Sequence, residues 1–184
     1  MTIPAIGPHV VLDQPGFIHE TARLHGKVYI GPEASIWTYA VTRSELYEIR
    51  IGARSNIQDF VMIHVGGATP TLVGDDCSIT HHATLHGCTI GDKCLIGINA
   101  TIMDRATIGD NCIVAGHSIV TEGSEFPDNS IIAGSPAKLV KTRDSGAANA
   151  MNAAFYVQNA KNYAHGSHRF NEDDLRAAGF LPQD

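Results

Sequence analysis

Aliphatic residues recur at every sixth position along most of the chain. They run Ile18, Leu24, Ile30, Ile36, then Ile51, Ile57, Ile63, then Val73, Ile79, Leu85. After a one-residue slip the series resumes at Ile90, Ile96, Ile102, Ile108, Val114 and Val120. The next residue is often glycine (Gly31, Gly52, Gly74, Gly91, Gly97, Gly109). Four places after each aliphatic residue comes a small or thin one: Ala22, Val28, Ala34, Ala40, Ser55, Val61, Cys77, Ala83, Cys94, Ala100, Ala106, Cys112, Ser118. A period of six matches neither the 3.6-residue helix nor the two-residue strand. It predicts a short strand plus a tight turn, repeated, with three such faces closing a triangular coil of about 18 residues. The fold class is therefore all-β, a parallel β-helix. Aliphatic side chains fill the prism, small residues fit its corners, glycine relaxes the turns, and coils stack about 4.8 Å apart. The pattern does not set the hand, and ordinary crossover statistics favour the right.

The six-residue step breaks twice, by about three residues around Glu45–Glu48 and by about four within Val65–Leu72. Loops on a rigid scaffold often carry function, so these breaks mark a neighbourhood to inspect. The hexapeptides stop after Gly134-Ser135-Pro136-Ala137-Lys138. From about Ser145 to Tyr163 the chain turns alanine-rich and predicts a helix packed along one face of the prism. The polar stretch from Ala164 onward carries a weak helix signal near Asn171–Ala178. The expected organisation is a hexapeptide domain over residues 1–141 and a C-terminal helix and tail over 142–184, in one structural unit.

With 184 residues, 43% of them hydrophobic and 17% charged, the chain suits one globular domain. A formal charge of −6 and no Lys/Arg cluster exclude a nucleic-acid surface. No apolar run approaches the roughly 20 residues that span a bilayer, and the N-terminal residues lack a basic region followed by an apolar core. No membrane association and a cytoplasmic location are the expectations. Cys77, Cys94 and Cys112 share one repeat position and predict an inward ladder of small buried groups, while Cys88 lies elsewhere as a lone thiol.

The repeat converts scattered histidines into columns. Allowing for the two breaks, Thr42, Ile63 and Leu85 occupy equivalent slots, so Arg43, His64 and His86 should stack on one outer face, one coil apart. Asp59 and His81 form a second column around a corner. Three neutral imidazoles suit a zinc-type centre with one open position, where bound water ionises near neutral pH. His64 and His86 can hold one metal, and His81 reaches it only from a neighbouring copy. This predicts a homotrimer with a metal at each subunit interface. His82, beside His81, competes for the same role. His9, His19, His25, His117, His165 and His168 lack matching partners and are expected to face solvent.

The runs SNIQDFVMIH (Ser55–His64), ITHHATLHGCTIG (Ile79–Gly91) and AGSPAKLV (Ala133–Val140) resemble the gamma-class carbonic anhydrases and their close relatives, over roughly Gly16 to Tyr163. The resemblance implies a left-handed helix and reversible hydration of carbon dioxide to bicarbonate by metal-bound hydroxide at trimer interfaces. It implies His64, His81 and His86 as ligands of Zn²⁺, with Fe²⁺ or Co²⁺ as substitutes, one ion per interface and His81 from the adjacent subunit. It further implies that Gln58 orients the reacting water, that Asp59 and Arg43 pair between subunits, and that Tyr156 and Gln158 lie near the pocket.

The chain departs from the family pattern at three points. The usual Arg-Gly-Asp reads Arg43-Ser44-Glu45, and the usual glycine before the second histidine is Thr80. The Val65–Leu72 segment carries no ionisable side chain, unlike the acidic loop of the best-studied members, so proton transfer falls to buffer, to water or to Glu45. Two alternatives stand beside the hydratase: a hexapeptide acyltransferase using acyl-CoA, and a non-enzymatic metal-stabilised trimeric scaffold.

Overall fold

The computed structural model describes residues 3–177, 179, 181 and 182. Positions 1, 2, 178, 180, 183 and 184, which include the ends of both expected spans, lie outside the described residues. The chain forms a left-handed parallel β-solenoid of about seven turns, followed by a helix. The first face stacks Phe17–Ile18, Ser35–Ile36, Asn56–Ile57, Ser78–Ile79, Leu95–Ile96, Ile113–Val114 and Ser130–Gly134, all parallel. The second carries Met62–His64, Thr84–His86, Thr101–Ile102 and Ile119–Val120, and the third Thr71–Val73, Thr89–Ile90, Thr107–Ile108 and Glu125–Phe126.

The periodic residues do what their spacing requires. Of the aliphatic series, only Ile18 is not fully in the core, where it packs as a partly buried neighbour. Every small residue of the second series is buried as well, at the corners where a larger side chain would not fit. The antiparallel strand Ala137–Thr142 folds back on Ser130–Gly134 and covers one end of the stack.

Two features of the turns differ from the sequence expectation. The Glu45–Glu48 break is not a loop. It is the middle of one long strand, Val41–Ile51, whose first residues pair with Met62–His64 and whose last residues pair with Thr71–Val73. The strand below, Arg23–Ile30, rounds the same corner at Gly26, where φ is +89° and an added Cβ would lie 1.8 Å from the Ser44 carbonyl oxygen. The repeat glycines also have a different job. The left-handed turn residue lies two places after each of these glycines instead, at Glu33, Arg54, Asp76, Lys93, Asn99 and Asn111. A Cβ on Gly74 or Gly91 would lie 2.3 Å from Asp92 Oδ1 or Asp110 Oδ1. Those carboxylates accept the amides of Asp75 and Asp92 at 2.8 Å, so the glycines make room for an aspartate ladder rather than relax a dihedral angle.

Helix α1 spans Gly146–Ala164 and lies on the first face, as the alanine-rich stretch predicts. Asn149 donates to the carbonyls of Lys93 (2.8 Å) and Cys112 (3.1 Å), and Asn152 donates to Ser78 Oγ (2.8 Å). Trp37 closes the seam, edge-on to Tyr156 and Tyr163 with ring centroids 5.6 and 5.0 Å away. Helix α2, Glu172–Ala177, falls within the weak signal near Asn171–Ala178, whose last residue lies outside the described set.

The inward cysteine ladder forms. Cys77 and Cys94 donate to the Gly91 and Gly109 carbonyls, each at 3.0 Å. Cys88 is buried too, and burial pushes its thiol up to about 12. Contact with Cys94, then burial, raises Cys112. The thiolate is the nucleophile, so the raised values keep Cys88 and Cys112 protonated, and burial shields all four thiols from reagent. A maleimide or a chromogenic disulfide at about pH 8 should therefore label none of the four thiols in native protein within minutes, and all of them in denaturant. Rapid labelling of the native chain would contradict this packing.

Candidate metal centre

Thr42, Ile63 and Leu85 pair directly, which places Arg43, His64 and His86 in one outward column. The column exists because a strand alternates its faces: the aliphatic slot turns inward, so the residue after it turns out. It also extends one coil further. His25 pairs with Arg43, and its Nε2 is buried without a hydrogen-bond partner. This corrects the expectation of a solvent-facing His25, which sits at the same repeat position, one coil below Arg43.

The two upper rings face each other. His64 Nδ1 and His86 Nε2 lie 3.0 Å apart, with ring centroids at 4.9 Å. The outer nitrogens are both held by carboxylates: His64 Nε2 by Glu45 at 2.9 Å, His86 Nδ1 by Asp104 at 2.7 Å. Glu45 also binds Arg43. The hydrogen bond from His64 above all, then Arg43, holds the Glu45 carboxyl below its usual range, against partial desolvation. Ionised carboxylates only accept, so filling the three links from Glu45 to Asp104 takes three protons, one more than two neutral imidazoles carry. A third proton or a cation between the two rings would complete the row, and two facing imidazole nitrogens are donors of the kind a divalent metal takes. Asp104 was missed by the sequence analysis, because it lies one coil above His86 and one position past the stacked slot.

His81 sits on a separate seam, at the corner between the first and second faces. Its Nδ1 is 3.1 Å from Asp59 Oδ2, leaving Nε2 free. His82 is committed elsewhere. In a left-handed turn, its ring stacks on Phe60 at 4.8 Å with the planes 2° apart, and Phe60 in turn stacks on Tyr39 at 5.3 Å. Gln58 is buried on the same seam as Asp59 and donates its amide to Asn56 Oδ1 at 2.9 Å. Tyr156 stands near Asp59; burial first, then the charge of Asp59, pushes its phenol up to about 12. Gln158 donates to Asn162 (3.1 Å) and Asp174 (3.4 Å), which ties it to α2.

The predicted residues thus fall into two groups within one chain. Arg43, Glu45, His64 and His86 line a cleft of about 400 Å³ with Leu46, Val65, Gly66 and Gly67. Gln58, Asp59, His81 and Tyr156 occupy the other seam. Among the described residues no cluster of three or more His, Cys, Asp or Glu side chains in one chain could hold a metal ion.

Residues 87–122 match the family model described as bacterial transferase hexapeptide (six repeats). The chain is 38% identical over 100 residues to a mitochondrial gamma carbonic anhydrase of Arabidopsis thaliana, a match covering 51% of this chain and 36% of that one. The chain spans about a third of that plant relative's length. Among solved structures, a hexapeptide transferase family protein from Anaplasma phagocytophilum superposes with a TM-score of 0.74 and 30% identity, covering 85% of this chain and 92% of that one. A Bacillus cereus protein described as a candidate acetyltransferase gives 0.82 and 29%, covering 86% and 93%. With its repeat, its coil and the likeness to the Anaplasma structure, the chain belongs to the hexapeptide-repeat family, and over about half its length it is similar to gamma carbonic anhydrases.

Proposed function

We propose that the chain is a metal-dependent carbonic anhydrase that assembles as a trimer and hydrates carbon dioxide reversibly to bicarbonate. One observation carries this reading. Each of the three candidate ligands has one ring nitrogen held by a carboxylate, and the remaining nitrogens of His64 and His86 meet at 3.0 Å. Metal-ligating histidines commonly hold a carboxylate or carbonyl through their other nitrogen.

His64 through Nδ1, His86 through Nε2 and His81 of an adjacent copy through Nε2 would hold a divalent cation, Zn²⁺ or one of its substitutes. The cation supplies Lewis acidity that brings water within reach of ionisation near neutral pH. The rest falls to side chains. Gln58 gives one of its two amide hydrogens to Asn56, which fixes the side chain and leaves its carbonyl oxygen to accept a water O–H. Tyr156 keeps its proton and can donate it to an oxygen of bicarbonate. Leu46, Val65 and the two glycines present an apolar wall to a substrate that carries no donor. Glu45 is the single carboxylate lining the cleft, half-exposed, and the best-placed group to pass protons outward. The exposed Tyr39 and Phe60 rings, beside Asp59 and His81, are the surface a second copy would cover.

A transferase reading draws on the names of the Anaplasma and Bacillus structures. Against it, among the described residues the loop that leaves the coil beside the histidine column is the short Val65–Leu72 segment, with no long excursion there. Metal analysis, sedimentation and a carbon dioxide hydration assay on the full chain separate the readings. About one metal per chain, a trimer and bicarbonate formation are expected. Metal without hydration would favour the scaffold, and coenzyme A binding without metal the transferase.

The His81/His82 ambiguity has its own test. His81→Ala should abolish metal uptake and cost hydration more than the roughly 100-fold typical of losing an outer partner. His82→Ala should retain metal, because that ring packs on Phe60. The reverse pattern, read by metal content, would move the ligand to His82.

A further inference from the structure

We propose that Asp104 is the positioning residue of the metal centre and that the Val65–Leu72 segment serves as its cover. This rests on the metal reading above. Asp104 Oδ2 holds His86 Nδ1 at 2.7 Å, and among the described residues His86 is its one ion-pair partner. As an acceptor it fixes the imidazole with Nδ1 protonated, and so directs Nε2 toward His64.

The surroundings are built around this carboxylate. A Cβ on Gly66 would lie 2.1 Å from Asp104 Oδ1, and one on Gly87, in the left-handed region at φ +59°, would lie 2.7 Å from the same oxygen. Two glycines from different coils thus leave room for one side chain. Thr71 pins the cover at its far end: its hydroxyl donates to the His64 carbonyl at 2.5 Å and accepts the Gly87 amide at 2.9 Å. Thr69 Oγ1 is buried beside them with no partner, 2.5 Å from where that Gly87 Cβ would stand. The segment that lacks an ionisable group therefore has another use. It is short and uncharged because it packs onto the partner of a ligand.

Both halves are testable on the full chain with Zn²⁺ as the probe. Metal-stripped wild type, Asp104→Asn and Gly66→Ala would be titrated with zinc against a chromophoric chelator. Loss of the Asp104 charge should weaken zinc binding about 10- to 100-fold, and Gly66→Ala should weaken it in the same direction. A role in packing alone would lower the melting temperature of the metal-free variants and leave zinc affinity unchanged, and that result overturns the proposal. If wild type itself takes up no zinc, the metal reading fails. Asp104 is then still tested by ¹⁵N-histidine spectra of metal-free protein: Nδ1 of His86 should be protonated in wild type and lose that signature in Asp104→Asn. Identical spectra would overturn the positioning role.

Discussion

The parallel hydrogen-bond ladder between successive coils is the constraint on which the molecule depends. Met62 N reaches the Ala83 carbonyl at 3.0 Å and Thr84 N that of Ala100 at 2.9 Å, and the same step repeats around the prism. A slip of one residue would turn every inward aliphatic outward, so burial and hydrogen bonding enforce the same register. Side chains at equal positions then stand one strand spacing apart, whatever their chemistry.

That stacking creates a problem wherever the repeated side chain is polar, and the chain answers it locally. Four aspartates stack at one corner, and Asp75, Asp92, Asp110 and Asp128 each direct Oδ1 at a backbone amide of the coil below. The histidine column is answered by carboxylates at both ends. His64 and His86 are neighbours because the ladder makes them so; Glu45 and Asp104 keep their inner nitrogens turned toward one another. The long strand Val41–Ile51 is what brings Glu45 there, since it carries the chain around the corner without leaving the sheet.

The same geometry limits a single chain. A triangular coil points its three faces apart, so a ligand on the corner near Asp59 cannot share a centre with the column one face away. The exposed Tyr39–Phe60–His82 ring stack follows that corner, at 53% exposure for Tyr39 and 49% for Phe60. In the proposed trimer, this exposed apolar surface beside the half-open His81 imidazole is what a second copy would cover.

Much of this was legible from residue order alone. Counting by six is enough to bury the aliphatic series, to ladder Cys77, Cys94 and Cys112, and to align Arg43, His64 and His86, because each of these depends only on register. The alanine-rich stretch announced α1 for the same kind of local reason. Tertiary structure decided what register does not contain. That Glu45 reaches His64 follows from a continuous strand where the broken repeat suggested a loop. That Asp104 holds His86 depends on a side chain reaching diagonally between coils, and that His82 is occupied while His81 is free depends on which ring stacks on Phe60. His25 joins the column because its strand pairs with Arg43, and Gly52, Gly74, Gly91 and Gly109 serve an aspartate ladder. A six-residue period specifies the slot of every side chain; the direction a long polar side chain takes from its slot is set by neighbours on other coils.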